Sequence, residues 1–210
     1  MPQIFKLNPQ SPDDSILKKA AKLIKTGKLI IYPTETFYGI GALYSDEKAL
    51  KRIFNIKSRN KTKPVLLIIQ DIASLYKLSS SVSQQSLFIA QRFWPGPLTL
   101  LFPASTQLPR LLIGSSGKVG CRVSSNLVAK RLLYFLKEPI TSTSANLSGG
   151  KSPKQIDEIP EELLNSVDII LDAGETPGGI PSTIMDVSDH PFIVVREGAI
   201  PSTEIFNSLA

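Results

Sequence analysis

Two polar stretches of this sequence combine residue types that hold ligands. The first, Thr34-Glu35-Thr36-Phe37-Tyr38-Gly39-Ile40-Gly41, follows the apolar run 29–32, whose composition predicts a buried strand. Pro33 ends this strand, so hydroxyls and a carboxylate stand where open α/β sheets bind ligands. Gly39 and Gly41 allow the backbone to come close to a neighbour. An ordinary strand-to-helix connection with capping hydroxyls explains the same loop, because a lone Gly-x-Gly is a weak signal.

The second stretch is basic. Lys57, Arg59, Lys61 and Lys63 lie at every second position, so an extended backbone would point all four side chains to one side. Lysine offers a compact charge and arginine a two-pronged donor, a combination that suits a polyphosphate. The alternative is a solvated, charged helix end, which the same residues fit equally well.

Composition limits the class of protein. The chain has 210 residues, 42% hydrophobic and 20% charged, which is typical of one globular domain with a sizeable core. Its 24 Lys and Arg against 18 Asp and Glu give a net charge of +6, with a pI near 9.4. This balance predicts an anionic partner, and nucleic acid, nucleotide and acidic metabolite all fit.

The counts of cysteine and histidine exclude several chemistries. Cys121 is the single cysteine, so no internal disulfide forms and a reducing compartment is expected. We predict that Cys121 is a buried hydrophobe and that His190, the single histidine, stands in a turn, which argues against a nucleophile–base pair and a zinc site. The N-terminus lacks a signal-peptide pattern, and no apolar run reaches the ~20 residues of a membrane span. We therefore expect a cytoplasmic protein without a membrane partner.

Periodicity predicts helices and strands in alternation. Helices are predicted over 11–25, from Ser45 onward, over 72–78, 84–93 and 127–136, and strands over 29–32, 65–69, 98–102, 118–123, 168–172, 183–187 and 192–196. The last three strands follow one another without long helices, which predicts antiparallel pairing and hence a mixed sheet. No linker or repeat separates a second domain.

Arg122 lies on an otherwise apolar predicted strand. Burying such a charge is costly unless it is paired, so Arg122 either holds a carboxylate of the protein or receives one from a ligand. The sequence leaves both possibilities open.

Two later loops are also candidates. The segment 139–150, with five hydroxyls and an amide followed by two glycines, has the composition of a hydrogen-bonding cradle, although a serine-rich surface loop is the common alternative. The Gly/Pro-rich segment 175–180 is typical of a mobile loop and a possible lid.

Seven motifs in order across residues 32–198 make the chain similar to a known family. They read Tyr-Pro-Thr-Glu-Thr-Phe-Tyr-Gly-Ile-Gly, Lys-Ser-Arg, Pro-Gly-Pro-Leu-Thr, Gly-Cys-Arg-Val, Thr-Ser-Ala-Asn-Leu-Ser-Gly, Pro-Ser-Thr-Ile and Val-Arg-Glu-Gly. The chain resembles the YrdC-like L-threonylcarbamoyladenylate synthase family. The resemblance implies one α/β domain over residues 1–210, with a motif core at about 14–200 and a twisted mixed sheet around a positively lined cavity.

The resemblance also implies an activity. The family condenses L-threonine, bicarbonate and ATP, with Mg²⁺, into threonylcarbamoyl-AMP and pyrophosphate, the first step of N6-threonylcarbamoyladenosine formation at position 37 of tRNAs. A downstream threonylcarbamoyl transferase complex and tRNA or other structured RNA are the implied partners. By motif, Thr36, Arg122 and Ser182 are expected to bind threonine, Lys57, Arg59, Ser142, Thr143, Ser144, Asn146 and Arg196 to bind ATP, and Lys57 and Arg59 to act in catalysis, with no protein metal site.

The chain departs from the family pattern at two places. Ser124 stands where the family often has proline, and Lys63 where it often has a small amide. A related YciO-like branch lacks the Ser-Ala-Asn motif, whereas Ser144 and Asn146 are present here. The alternative function is an RNA-binding module of YrdC/YciO type without synthase activity, but the chain has no aromatic-rich RNA-stacking motif.

Overall fold

The computed structural model describes residues 1–58 and 64–209. Within these ranges the apolar runs build one sheet of ten strands. Their bounds are β1 (Gln3–Lys6), β2 (Ile30–Tyr32), β3 (Gly39–Gly41), β4 (Leu66–Ile68), β5 (Leu98–Pro103), β6 (Lys118–Arg122), β7 (Ile140–Ser144), β8 (Ile169–Asp172), β9 (Thr183–Asp186) and β10 (Ile193–Arg196). The order across the sheet is β1-β8-β2-β3-β7-β4-β6-β5-β9-β10.

Eight α-helices flank the sheet in the same ranges. They are α1 (Asp14–Lys25), α2 (Glu47–Ile56), α3 (Leu75–Leu78), α4 (Gln84–Phe93), α5 (Arg110–Ile113), α6 (Leu127–Leu136), α7 (Glu161–Ser166) and α8 (Ser202–Asn207). Side-chain caps fix the starts of the long ones: Asp13 accepts from the N–H of Ser15, and Asn126 accepts from that of Ala129. The predicted helices and the mixed α/β fold are confirmed.

The pairing of the last three strands differs from the sequence-based prediction. Strands β9 and β10 are antiparallel, but β8 runs parallel to β1 and β2, and β9 runs parallel to β5. The expectation of antiparallel pairing throughout is therefore wrong. The physical reason is that the segment between β8 and β9 crosses the sheet. Hydrogen bonds hold this segment: the hydroxyl of Tyr38 donates to the carbonyl of Gly174, and Oγ1 of Thr176 donates to the carbonyl of Thr36.

Alternation along the strands separates two faces of the sheet. One face carries Ile31, Leu67, Leu100 and Cys121 and is covered by α2, α3, α4, α5, α7 and α8. Cys121 is fully buried there, as predicted, and burial raises the pKa of its thiol. The thiol is therefore a packing group.

The other face is covered by helices over only half of its width. Helices α1 and α6 pack on it through side chains such as Ile30, Tyr32 and Ile140. Beyond β4 the same face continues with Leu101 and Ile184, which line a cavity. The uncovered half of the sheet is what makes room for a ligand.

The structure bears on two further expectations from the sequence, the basic stretch and the membrane span. Arg59, Lys61 and Lys63 lie outside the described residues. Among the residues described, no helix combines the length and apolarity needed to cross a bilayer.

Candidate functional site

The uncovered half of the sheet forms the floor of a cavity of about 270 Å³. Its lining combines hydroxyls, two arginines and apolar side chains. The hydroxyl side chains are Thr34, Thr36, Thr99, Ser142, Thr143, Ser144, Ser152 and Ser182, the cations are Arg122 and Arg196, and the other lining residues are Phe37, Tyr38, Gly39, Pro64, Leu66, Leu101, Gly120, Pro181, Ile184 and Val195. Such a wall suits a polar, negatively charged ligand.

Arg122 finds a carboxylate of the protein. Its Nε lies 3.1 Å from Oε1 of Glu35, and the two side chains are 4% and 8% exposed. The two atoms form an ion pair without hydrogen-bond alignment. Oε2 of Glu35 accepts a hydrogen bond from Ser124, the residue at which the chain departs from the family pattern. Arg122 therefore lies in the cavity wall with its Nε side turned to Glu35. The sequence left open whether Arg122 holds a carboxylate of the protein or receives one from a ligand, and this geometry allows both.

Arg196 lies on β10, and β5 and β9 separate it from the strand β6 that carries Arg122. Its Nε and Nη2 donate to the carbonyl of Ser182 at 3.1 and 2.7 Å, and Nη2 lies 3.1 Å from the hydroxyl of Ser182. That hydroxyl is also 3.1 Å from Oγ1 of Thr99. Burial lowers the pKa of Arg196, and the positive charge of Arg122 lowers it further. Both arginines line the same cavity, so an anion bound there would interact favourably with two positive charges.

The first polar loop forms one wall. Oγ1 of Thr34 lies 3.1 Å from Oγ1 of Thr36 and donates to the carbonyl of Phe37 at 2.7 Å. The loop is held from behind because the carbonyl of Thr36 accepts from Oγ1 of Thr176 at 3.1 Å and from the N–H of Gly178 at 2.7 Å. The segment 175–180, predicted as a mobile loop, is therefore anchored at two points.

Strand β7 supplies the hydroxyl cradle that the sequence indicated. Ser142, Thr143 and Ser144 all line the cavity. Gly39 permits this because a Cβ there would lie only 2.9 Å from Oγ of Ser142. The close approach predicted for the glycines is therefore to a neighbouring strand.

Lys57 and Asn146 stand behind the cradle. Lys57 is 2% exposed, and its Nζ donates to the carbonyl of Ser144 at 2.5 Å, to the carbonyl of Asn146, and to Oδ1 of Asn146 at 3.2 Å. Oδ1 of Asn146 also accepts from Oγ of Ser144 at 2.5 Å, and its Nδ2 donates to the carbonyl of Gly150. In this conformation both side chains shape the loop 144–150, and neither lines the cavity among the described residues.

The structure brings most of the predicted site residues together. Those that line one cavity are Thr36, Arg122, Ser142, Thr143, Ser144, Ser182 and Arg196. Arg59 lies outside the described residues. Sequence reasoning missed Thr99 and the pairing of Glu35 with Arg122. Glu35 is the only carboxylate in the first polar loop, and this would have indicated Glu35 as the partner of Arg122.

Known proteins resemble this chain in sequence and in structure. A Pyrococcus abyssi protein named threonylcarbamoyl-AMP synthase is 38% identical over 189 residues, which are 90% of this chain and 56% of that protein. The crystal structure of P. abyssi Sua5 complexed with L-threonine aligns with a TM-score of 0.94 and 35% identity, covering 99% of this chain and 61% of that one. The crystal structure of Escherichia coli YciO aligns with a TM-score of 0.89 and 30% identity, covering 98% and 100%.

The chain therefore spans little more than half the length of the P. abyssi protein and the full length of YciO. A family model described as telomere recombination, Sua5/YciO/YrdC, matches residues 22–198. Since this match covers most of the chain, the protein belongs to the Sua5/YciO/YrdC family.

Proposed function

We propose that the protein is an L-threonylcarbamoyladenylate synthase, a nucleotidyltransferase that joins L-threonine, bicarbonate and ATP. The observation that carries the proposal is the placement of Arg122 and Arg196 in one hydroxyl-lined cavity. A carboxylate and a triphosphate bound together would interact with both cations, with Arg122 on the side that Glu35 leaves open. The synthase name of one relative and the threonine complex of P. abyssi Sua5 support the same function.

In this proposal threonine binds at the Arg122 end of the cavity. Glu35 occupies the Nε side of the guanidinium, so the threonine carboxylate binds the remaining N–H groups. Thr36 and Ser182 both line the cavity, and their hydroxyls would bind the substrate. Such fixed donors would orient the amine toward the nucleotide, which is how positioning accelerates a two-substrate reaction.

ATP would lie along β7. Ser142, Thr143 and Ser144 offer hydroxyls, and Arg196 offers a cation to the phosphates. Lys57 and Asn146 fix the loop that carries Ser144, and Arg59 is proposed as the second phosphate-binding cation. We propose that Mg²⁺ enters bound to the triphosphate, because Mg²⁺ in nucleotide sites is held largely by the phosphates of the substrate.

The chemistry needs no nucleophile from the protein. The threonine amine adds bicarbonate with loss of water, which gives a carbamate. A carbamate oxygen then attacks the α-phosphorus, a new P–O bond forms, and the bond to pyrophosphate breaks. The protein contributes positioning and positive charge, which is sufficient for phosphoryl-type transfer.

The test is pyrophosphate release by the purified protein with MgATP, L-threonine and bicarbonate, omitting each in turn. Release should require all three, and mass spectrometry should detect the mixed carbamic–phosphoric anhydride. Arg59→Ala and Arg122→Ala should abolish release, whereas Arg110→Ala, an exposed arginine outside the cavity lining, should leave it unchanged. No release with all three substrates present, or release without threonine, would refute the proposal.

The alternative from the sequence, an RNA-binding module without synthase activity, makes the opposite prediction. Such a module would bind structured RNA in its cavity, with an affinity that falls by about 0.7–0.9 log units per log unit of salt for each neutralised phosphate. It would release no pyrophosphate under the conditions above.

A further inference from the structure

Three side chains lie next to one another on the cavity floor, on the adjacent strands β6, β5 and β9. Leu101 of β5 pairs with Gly120 of β6, and both residues line the cavity. Because strand side chains alternate, Thr99 and Arg122, each two positions away, lie on the same face and oppose each other across the two strands. On its other side Thr99 pairs with Ile184 of β9. The floor therefore presents a cation, a hydroxyl and an apolar side chain in this order.

The hydroxyl of Thr99 is held by a second hydroxyl. Its Oγ1 lies 3.1 Å from Oγ of Ser182, which also accepts a hydrogen bond from Nη2 of Arg196 at 3.1 Å. Thr99 and Ser182 are 1% and 2% exposed, and the residues that the structure describes form no further hydrogen bond to either hydroxyl. A buried hydroxyl with an unused donor or acceptor costs free energy, so a ligand that supplies the missing partner gains affinity there.

The two hydroxyls keep one donor and two acceptors free. Together they have two hydrogens and four lone pairs. The bond between Thr99 and Ser182 uses one hydrogen and one lone pair, and the bond from Arg196 uses a second lone pair. One hydrogen and two lone pairs remain, whichever hydroxyl donates to the other. This set matches a ligand group that donates and accepts at once, such as an alcohol.

The substrate groups of the proposed reaction differ in this respect. A carboxylate and an ionised phosphate only accept, so either would place a negative charge against the free lone pairs of Thr99 and Ser182. The threonine amine has to face bicarbonate and the nucleotide. The β-hydroxyl of threonine both donates and accepts, and it is attached next to the carbon that carries the carboxylate. Arg122, the proposed partner of that carboxylate, opposes Thr99 at a typical Cβ separation of about 5 Å, which suits neighbouring groups of one amino acid.

We infer that Thr99, together with Ser182, recognises the β-hydroxyl of L-threonine and thereby determines the choice of amino acid. The inference rests on the proposed synthase function and adds a specificity-determining residue to it. The carboxylate would bind Arg122, the hydroxyl would bind Thr99 and Ser182, and the methyl group would pack on Ile184.

This arrangement predicts an order of preference among amino acids. A site that hydrogen-bonds a substrate hydroxyl rejects an analogue without it more strongly than an apolar pocket rejects the loss of one methyl group. Discrimination against L-2-aminobutyrate, which lacks only the hydroxyl, should therefore exceed discrimination against L-serine, which lacks only the methyl group.

The test compares L-threonine with L-2-aminobutyrate by kcat/KM for pyrophosphate release at saturating MgATP and bicarbonate. The parent protein should prefer threonine by roughly 100-fold or more. Thr99→Val keeps the size of the side chain and removes the hydroxyl, so kcat/KM for threonine should fall about tenfold or more while that for L-2-aminobutyrate stays within about twofold. Thr99→Ser retains the hydroxyl and should keep the preference. The matched control is Thr203→Val, at an exposed threonine of α8, which should change neither value.

Equal losses for the two amino acids in Thr99→Val would overturn the inference, since they would indicate distortion of the neighbouring Arg122. A higher KM for ATP with an unchanged preference for threonine would also overturn it, in favour of a hydroxyl of the nucleotide. Circular dichroism melting establishes that each variant is folded.

Calorimetric titration makes the same comparison without turnover. Threonine should bind the parent protein about tenfold or more tightly than L-2-aminobutyrate does, and Thr99→Val should remove most of this difference. Equal affinities in the parent protein, or no binding of either amino acid, would refute the inference whether or not pyrophosphate is released. Release with threonine but without preference over L-2-aminobutyrate would refute the inference alone and leave the synthase proposal standing, so the two failures are distinguishable.

Discussion

Glu35 holds Arg122 in the cavity wall: Oε1 of the glutamate lies 3.1 Å from Nε of the arginine, and both side chains are more than nine-tenths buried. Ser124 binds the second carboxylate oxygen. A buried ion pair gains stability only when its partners are held in place and its other hydrogen-bonding groups are satisfied. The remaining N–H groups of this fixed guanidinium are the donors that we propose for a substrate carboxylate.

The first prediction concerns the charge of Glu35. Glu35→Gln keeps the size of the side chain but leaves Arg122 buried without a counter-charge, so we expect a loss of about 3 kcal/mol in the free energy of unfolding. L-threonine should restore part of this loss because its carboxylate replaces the missing charge. Urea unfolding with and without threonine measures both effects. The control is Glu175→Gln, whose side chain is 64% exposed and whose Oε1 lies 3.4 Å from Nζ of Lys154. A loss no larger than in this control would contradict the prediction.

The second prediction concerns Lys57. Lys57→Met keeps the aliphatic stem but leaves the carbonyls of Ser144 and Asn146 without their ammonium donor, so we expect a loss of roughly 2–3 kcal/mol. ATP should also bind at least tenfold more weakly because the loop that carries Ser144 is no longer fixed. Unfolding and nucleotide titration measure the two effects. Lys51→Met, on the exposed side of the same helix, should change neither. Lost ATP binding with unchanged stability would instead indicate direct contact between Lys57 and the phosphates.

The sequence was sufficient for seven of the ten strands and five of the eight α-helices that the structure describes, and for seven of the cavity-lining residues. Thr36 follows from a local rule, because a short apolar run and Pro33 determine where β2 stops, and Ser142 belongs to a hydroxyl-rich stretch that the sequence displays directly. It was not sufficient for Glu35 or Thr99, since their partners Arg122 and Ser182 lie more than eighty positions away and meet them only through sheet order. The parallel pairing of β8 with β2 was missed for the same reason, because a short connection does not force neighbouring strands to pair.

The third prediction concerns Gly198, which packs on the segment that presents Ser182. A Cβ at Gly198 would lie 2.4 Å from the carbonyl oxygen of Pro181 and 2.4 Å from the nitrogen of Thr183, both of them backbone atoms. Gly198→Ala should therefore displace Ser182 and Arg196 and raise KM for threonine and ATP about tenfold. Steady-state pyrophosphate release measures this. Because overpacking also costs about 1–3 kcal/mol, the assay is run well below the melting temperature of the variant. Unchanged KM values would show that the segment can shift without affecting the site.

The fourth prediction concerns the pH dependence of stability through Asp168. Burial by itself would raise the pKa of this carboxyl, but hydrogen bonds from the N–H of Leu29 at 2.8 Å and from Arg52 at 3.0 Å outweigh burial, and the net pKa is lowered. A carboxyl whose pKa is lowered by folding stabilises the protein at pH values above its unfolded pKa. That contribution is lost as the pH falls through the lower, folded pKa.

Asp168→Asn should accordingly cost about 1–2 kcal/mol at pH 7. The difference from the parent protein should shrink as the pH falls below about 3.9, the ordinary pKa of aspartate, because the parent carboxyl then becomes neutral as well. Urea unfolding between pH 7 and pH 3 measures the difference directly. The matched control is Asp157→Asn, the same change at an exposed aspartate. A difference for Asp168→Asn that stays constant over this range would show that the side chain acts through its shape and not through its charge.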